Sequence, residues 1–343
     1  MPVINKPNQH FDVTTYTGTG SAGQVQTNSG SMQPDLVWIK NRSSTGGHWW
    51  SDSIRGAARY ISSQNKDAEA SSATGVSSFN SNGFTHGTDS WTGGNGATYV
   101  AWQWKAASAN TTNTDGSVTS TIRVNQTAGF SIVSYASGSA GQKTVGHGLG
   151  VTPSMIITKS RDNASYNWAI YHSSVTDTTS KFLRFTQDAV VTSSTIWGAA
   201  LPTSTVFGIT SDNGVPANNN CIAYCWAPVA GYSAFGKYTG NGSTDGPFVY
   251  TGFRPKFIMI KRTDVTNWWQ MYDTSRNTFN TVDKYLAAHL NDSEYTASSP
   301  NDFIDFNSNG FKVRGSNNAV NANGGTFIYM AFAEAPFKFA NAR

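Results

Sequence analysis

Short apolar runs separated by Gly-, Asn- and Ser-rich gaps recur along the whole chain. In YVAWQWKA (99–106) aromatic residues alternate with small or polar ones, a period of two that places the aromatics on one face of a strand packed against an opposite sheet. Runs such as DLVWIK and SMIITK start after a proline and end in a polar turn. That is the pattern of a central or half-buried strand, because proline is tolerated where no ladder donor is needed. No stretch carries helical spacing long enough to compete. Many short strands with frequent turn signals predict an all-β protein of antiparallel β-sandwiches, jelly-roll-like in their strand count.

The pattern occurs three times. Each copy opens with a strand and a Gly-rich turn: FDVTTYTGTGS, FSIVSYASGSAG and YSAFGKYTGNGS. Each continues with a proline, an apolar run and a lysine six positions on, at Pro34–Lys40, Pro153–Lys159 and Pro255–Lys261, with Arg42, Arg161 and Arg262 following. A tryptophan segment comes next (HWWSD, NWAIY, NWWQMYD), and each copy closes on a small and aromatic strand: YVAWQWKA, CIAYCWAP, YMAFAEAP. The boundaries this predicts are a short leader over 1–10 and a first sandwich over 11–106. A Ser/Thr/Asn-rich linker follows over 107–129, with STIRVN as a strand candidate inside it. The second and third sandwiches then cover 130–231 and 232–343, joined in a fixed mutual orientation. Each repeat is long enough to hold its own core. The hexapeptide FNSNGF at 79–84 and 306–311 reads as a hairpin whose Asn-Gly supplies a positive φ, and copy two has VFGITSDNG in its place.

Composition agrees with this picture: 11 Trp, 14 Tyr and 19 Phe stand against only 13% charged residues. The net charge of +4 is scattered, without the basic face of a nucleic-acid binder. MPVINKPNQH lacks a signal-peptide core, and no apolar run approaches the ~18 residues of a membrane span, so a soluble protein with no membrane or nucleic-acid partner is expected. Cys221 and Cys225 are four apart on a predicted strand, roughly 13 Å at the strand rise, too far for a disulfide, and read as small buried hydrophobes.

No catalytic, cofactor or metal site emerges. His10, His48, His86, His147, His172 and His289 include no pair at ligand spacing, and His147, between glycines, reads as a turn residue. Asp302 and Asp305 are the one carboxylate pair to weigh for glycoside hydrolysis, and they lack counterparts in the other copies. No nucleophile elbow or phosphate loop is present. The adjacent pairs Trp49–Trp50 and Trp268–Trp269 stand out. On a strand one ring of each pair faces away from the core, where it can cover a sheet edge or pack under a loop, anchor a protein interface, or stack on a sugar.

NQHFDVTTYTGTG, VGHGLGVTPSMIITKSR, CIAYCWAPVAGYSAFGKYTGNGS and FIYMAFAEAPFKFANAR together resemble the repeated domain of virion proteins from marine tailed phages such as cyanophages, over essentially the whole chain. The resemblance implies a virion component that is not an enzyme, and brings no catalytic residues. The short leader and the lack of a heptad shaft favour a compact capsid-decoration or tail appendage over a long fibre. The expectation is a structural protein of the particle, assembled in the bacterial cytoplasm, forming homotrimers and docking on other virion proteins. The alternative is an adhesin for host-surface glycans with the tryptophan pairs as platforms.

Overall fold

The computed structural model describes residues 4–192, 196–211, 215–297 and 303–335. The chain is nearly all β, and every sheet is antiparallel. Each repeat is built on a main sheet with the same inner order: opening strand, closing strand, lysine-bearing strand, tryptophan strand. In repeat one these are Phe11–Thr17, Thr98–Trp104, Leu36–Asn41 and Trp49–Asp52. In repeat two they are Phe130–Ala136, Asn220–Trp226, Met155–Ser160 and Ala169–His172, and in repeat three Ser233–Thr239, Thr326–Ala335, Arg254–Arg262 and Trp269–Asp273. The stretch 107–129 is not a linker. Its strands Thr111–Asn113 and Ser120–Asn125 extend the main sheet of repeat two, with Ile122 opposite Val133.

A smaller outer sheet closes each sandwich. In repeat one it comprises Gln24–Thr27, Gly83–His86 and Val76–Asn80, and in repeat three Phe248–Tyr250, Gly310–Val313 and Ile304–Asn307. In repeat two, among the described residues, it is Lys143–Gly146 against Val206–Ile209. FNSNGF is the hairpin in repeats one and three, with Phe79 opposite Phe84 and Phe306 opposite Phe311. Gly83 supplies the expected positive φ, at +153°, Gly310 does not, and both glycines answer to a second constraint. A Cβ on Gly83 would stand 1.9 Å from the Gln26 carbonyl oxygen, and one on Gly310 2.2 Å from that of Val249. The third strand of each outer sheet approaches too closely for any side chain.

Alternation along the lysine-bearing strands shows where the core lies. Val37 and Ile39, Ile156, and Ile258 and Ile260 face the outer sheets and fill three separate small cores. Leu36 and Trp38, Met155 and Ile157, and Phe257 and Met259 face the other way and enter one common core shared by all three repeats. Main-sheet strands are therefore covered on both faces, which is why they read as unbroken apolar runs. In the closing strand of repeat one, Tyr99 is out of phase with Trp102 and Trp104: it faces the outer sheet while they face the common core. The expectation of three sandwiches with independent cores is corrected accordingly. At the centre Trp104 lies 6.0 Å from Trp226 and 5.7 Å from Phe332, one residue from each repeat. Cys221 and Cys225 are free and buried on a single strand.

Candidate functional site

Strand register aligns the three copies residue by residue. Trp38 faces Trp50, Ile157 faces Ile170, and Met259 faces Met271, each two positions before its lysine. By this register His48, Trp168 and Trp269 are equivalent, so the two tryptophan pairs are not: Trp269 matches His48, and Trp50 matches Met271. Nor do these pairs form an exposed platform. Trp49, Trp50 and Trp269 are at most 1% exposed. Trp49 faces the outer sheet and stacks on Tyr60, while Trp50 faces the common core against Trp168 and Tyr224 of repeat two. Trp268 is half-buried on Tyr295 and His289. The outward ring expected of each pair exists only in a sheet with a bare face, and these sheets have none.

The equivalent positions instead stitch the repeats into a ring. The Nε1–H of Trp168 donates to the Ser62 carbonyl of repeat one at 2.9 Å, and that of Trp269 to the Arg184 carbonyl of repeat two at 2.8 Å. His48 completes the cycle. Its Nδ1 accepts from Trp38 Nε1, so the proton sits on Nε2 and reaches the Ala287 and Leu290 carbonyls of repeat three at 3.0 and 3.1 Å. Burial, with Lys40 nearby, holds His48 well below the usual histidine range, in keeping with this neutral form.

The three repeat lysines obey the same rotation. Lys40 Nζ donates to Asn41 and, across to repeat three, Asn291; Lys159 donates to Lys66 of repeat one, Ser160 and Asn163; Lys261 donates to Gln187 of repeat two and Asn267. All these acceptors are backbone carbonyls. All three side chains are buried, which pushes Lys40 and Lys159 down to about 8 and Lys261 to about 7.

Two seams carry a further network. Asp52 and Glu69 flank the fully buried Arg55, and Glu69 forms a two-pronged pair with Arg161 of repeat two, both contacts at 2.9 Å. Asp273, Arg276 and Glu294 repeat the arrangement with Arg42 of repeat one, again with both contacts at 2.9 Å. Burial works against the two glutamates, but the arginines around them hold both below the usual carboxylate range. At the third seam the register places His172, Val175, Val190 and Thr263 in these four positions. The backbone link persists: Glu69, Glu294 and Val190 donate N–H to the carbonyls of Arg161, Arg42 and Thr263. All four side chains changed together.

One cleft of about 600 Å³ opens between repeats one and three, lined by Thr45, Gly46, Gly47, Gln64, Asn65, Asp67, Trp91, His289, Leu290 and Asn291. Its cause is legible in the register. Where repeats two and three carry Tyr166–Asn167 and Asn267–Trp268, repeat one carries Gly46–Gly47. The indole of Trp91 lies against the vacated backbone, so that a Cβ on Gly47 would stand 2.4 Å from the ring. Trp91, in TDSWTGGNG, was not singled out by sequence reasoning, and only alignment of the copies finds it. Of the weighed carboxylates, Asp305 pairs with Arg314 at 3.3 Å, and Asp302 lies outside the described residues, as does the end of FIYMAFAEAPFKFANAR. His147 is buried, with Nδ1 accepting from Leu149 N and Nε2 3.2 Å from the Thr203 carbonyl. Among the described residues no group of three or more His, Cys, Asp or Glu is placed to hold a metal ion, and no helix is long and apolar enough to cross a membrane.

A family model described as "Domain of unknown function (DUF7483)" matches residues 6–336. The chain belongs to this family. The DUF7483 match spans all three repeats, the same extent as the ring that shares the common core. No curated protein and no solved structure matches this DUF7483 chain.

Proposed function

We propose that this chain is a non-enzymatic structural component of a tailed-phage virion, a decoration or appendage protein that works by docking on other virion proteins. The observation that carries the reading is the closed ring. Its buried aromatics and cross-repeat hydrogen bonds are spent on holding three repeats as one rigid body, which is what a load-carrying particle component requires. The motifs that resemble phage virion proteins supply the biological setting. The tryptophan pairs expected to drive trimer formation are used inside the chain, so self-association has to proceed elsewhere. We place it on the outer sheet of repeat three, where Phe248 and Tyr250 on the edge strand Phe248–Tyr250 are 45% and 68% exposed. An aromatic edge strand is a template for a second copy.

The test is direct. Antibody to the protein should label purified particles, and its recovery solely in the particle-free lysate would refute the virion reading. Light scattering of the purified chain should show an oligomer that Tyr250→Lys dissociates; a wild-type monomer at particle-like concentration would remove the self-association.

A further inference from the structure

We propose that the cleft between repeats one and three binds a neutral saccharide, with Trp91 as the apolar wall and Gln64, Asp67 and Asn291 as hydroxyl partners. Its volume falls within the range typical of small-molecule sites, roughly 300–1,000 Å³. What marks it as a site is how many of its polar groups have nothing to bond. Gln64 uses Oε1 to accept from His48 N, and its Nε2 has no partner among the described residues. The Asn291 backbone carbonyl accepts from Lys40 and Gly46, while its side-chain amide, which is exposed, has no partner there. Asp67 engages Asn65 through Oδ2 and leaves Oδ1 open. The Trp91 Nε1–H and the Thr45 hydroxyl are uncommitted in the same sense. His289 adds a buried Nε2–H with no hydrogen-bond partner among the described residues, its Nδ1 accepting from Trp269 N.

This set has a chemical signature. Planar amides donate to and accept from vicinal hydroxyls, a carboxylate accepts from them, and an indole face suits the C–H face of a pyranose because its quadrupole is negative there. Among the described residues one carboxylate and no free cation line the cleft, which selects against anionic sugars. The site is also specific to one seam. Restoring side chains at Gly46–Gly47, as repeats two and three have them, fills it.

The inference does not rest on the virion reading, because it is tested on the isolated chain. The full-length labelled protein is screened on immobilised neutral oligosaccharides (gluco-, galacto- and manno-hexaoses) and on sialylated and sulfated controls. Binding to at least one neutral series is expected. Trp91→Ala and Asn291→Ala should each lower its affinity at least tenfold, and Gly47→Asn should abolish it. Asn291 is exposed at the surface, so its variant tests the site even if Gly47→Asn fails to fold. No binding above background, binding restricted to the charged controls, or full-strength binding by both Trp91→Ala and Asn291→Ala would each overturn the proposal.

Discussion

Replacing Glu69 by valine, the residue at the matching position of repeat two, tests whether the four-residue network acts as a unit. Glu69 accepts from Arg55 at 3.2 Å, from Arg59 at 3.0 Å and from Arg161 through two contacts at 2.9 Å. Arg55 has no exposed side-chain surface, whereas Arg161 keeps 19% and Arg59 54%. Removing one partner of a buried ion pair costs about 3–5 kcal/mol, chiefly through the charge left behind. Arg55 retains Asp52, and the other two arginines can hydrate, so Glu69→Val should cost about 3 kcal/mol. Arg161→Thr alone, which strips two charge-assisted bonds from Glu69, should cost about 2 kcal/mol. Combining Asp52→His, Arg55→Val, Glu69→Val and Arg161→Thr installs the set that the seam between repeats two and three already uses. If the losses were independent, the sum would exceed much of a typical stability of about 5–15 kcal/mol. Exchange of a complete buried ionic cluster for neutral residues is often far cheaper than breaking it, and this neutral set already packs at another seam, so the quadruple variant should lie within about 2 kcal/mol of wild type. Urea unfolding followed by tryptophan fluorescence reads each value. A quadruple variant as damaged as the sum of its singles would refute the claim that these positions change together for physical reasons.

Three further outcomes follow from the ring. Trp50→Ala removes an indole packed between repeats one and two and should cost about 3–5 kcal/mol; urea or thermal unfolding should remain one transition for all three repeats, whereas separate transitions would show that the common core does not couple them. Gly83→Ala and Gly310→Ala should each destabilise by several kcal/mol, beyond the usual ~1 kcal/mol of a point mutation, while Asn82→Ala in the hairpin loop should fall within about 0.5 kcal/mol, as equilibrium unfolding will tell. The buried lysines predict a pH dependence. Their folded pKa values lie below the unfolded value of about 10.4, so above about pH 7 the unfolded chain holds more protons and stability rises with pH; below that both states are charged and the burial cost is fully present. Above about pH 9 the buried thiols, Cys221 pushed up to about 12 and Cys225 also raised, oppose the rise. Unfolding at pH 7, 8 and 9 should show the increase, and Lys261→Met should reduce its slope by up to about 1.4 kcal/mol per pH unit; a slope equal in both proteins would sink the assignment.

How far the sequence foretold this arrangement depends on the kind of signal. Strands and repeats were legible because period-two patterning and the proline-to-lysine spacing are local. Runs such as SMIIT read as central or half-buried strands, but an apolar residue says only that something covers it. Whether the cover is an outer sheet or another repeat is decided by contacts far apart in sequence, such as Trp168 on Ser62. The same gap explains Trp50 and Trp269. Adjacent aromatics do point to opposite faces, as expected, and both faces are interior. Lys40, Lys159 and Lys261 ended each strand pattern like ordinary surface residues, although their acceptors are carbonyls, which no side-chain pattern can announce. The cleft was readable only as a difference between copies, in the Gly46–Gly47 that departs from Tyr166–Asn167 and Asn267–Trp268.

Each repeat in the ring offers its neighbour a surface unlike the one it receives. Contacts of this head-to-tail kind can grow without limit when the rotation fails to close, and they end after a fixed number when it does. Here closure at three is written into one covalent chain, so no repeat is left offering an unmet surface to a stranger. The ring also has a preferred parting line. The seam between repeats two and three lacks the arginine–glutamate clasp and carries instead the buried His172, pushed down to about 4 by burial and set against the Tyr329 carbonyl of repeat three, so acid that charges this imidazole strains the seam from within. A chain opened there by acid would be able to exchange a whole repeat with its twin.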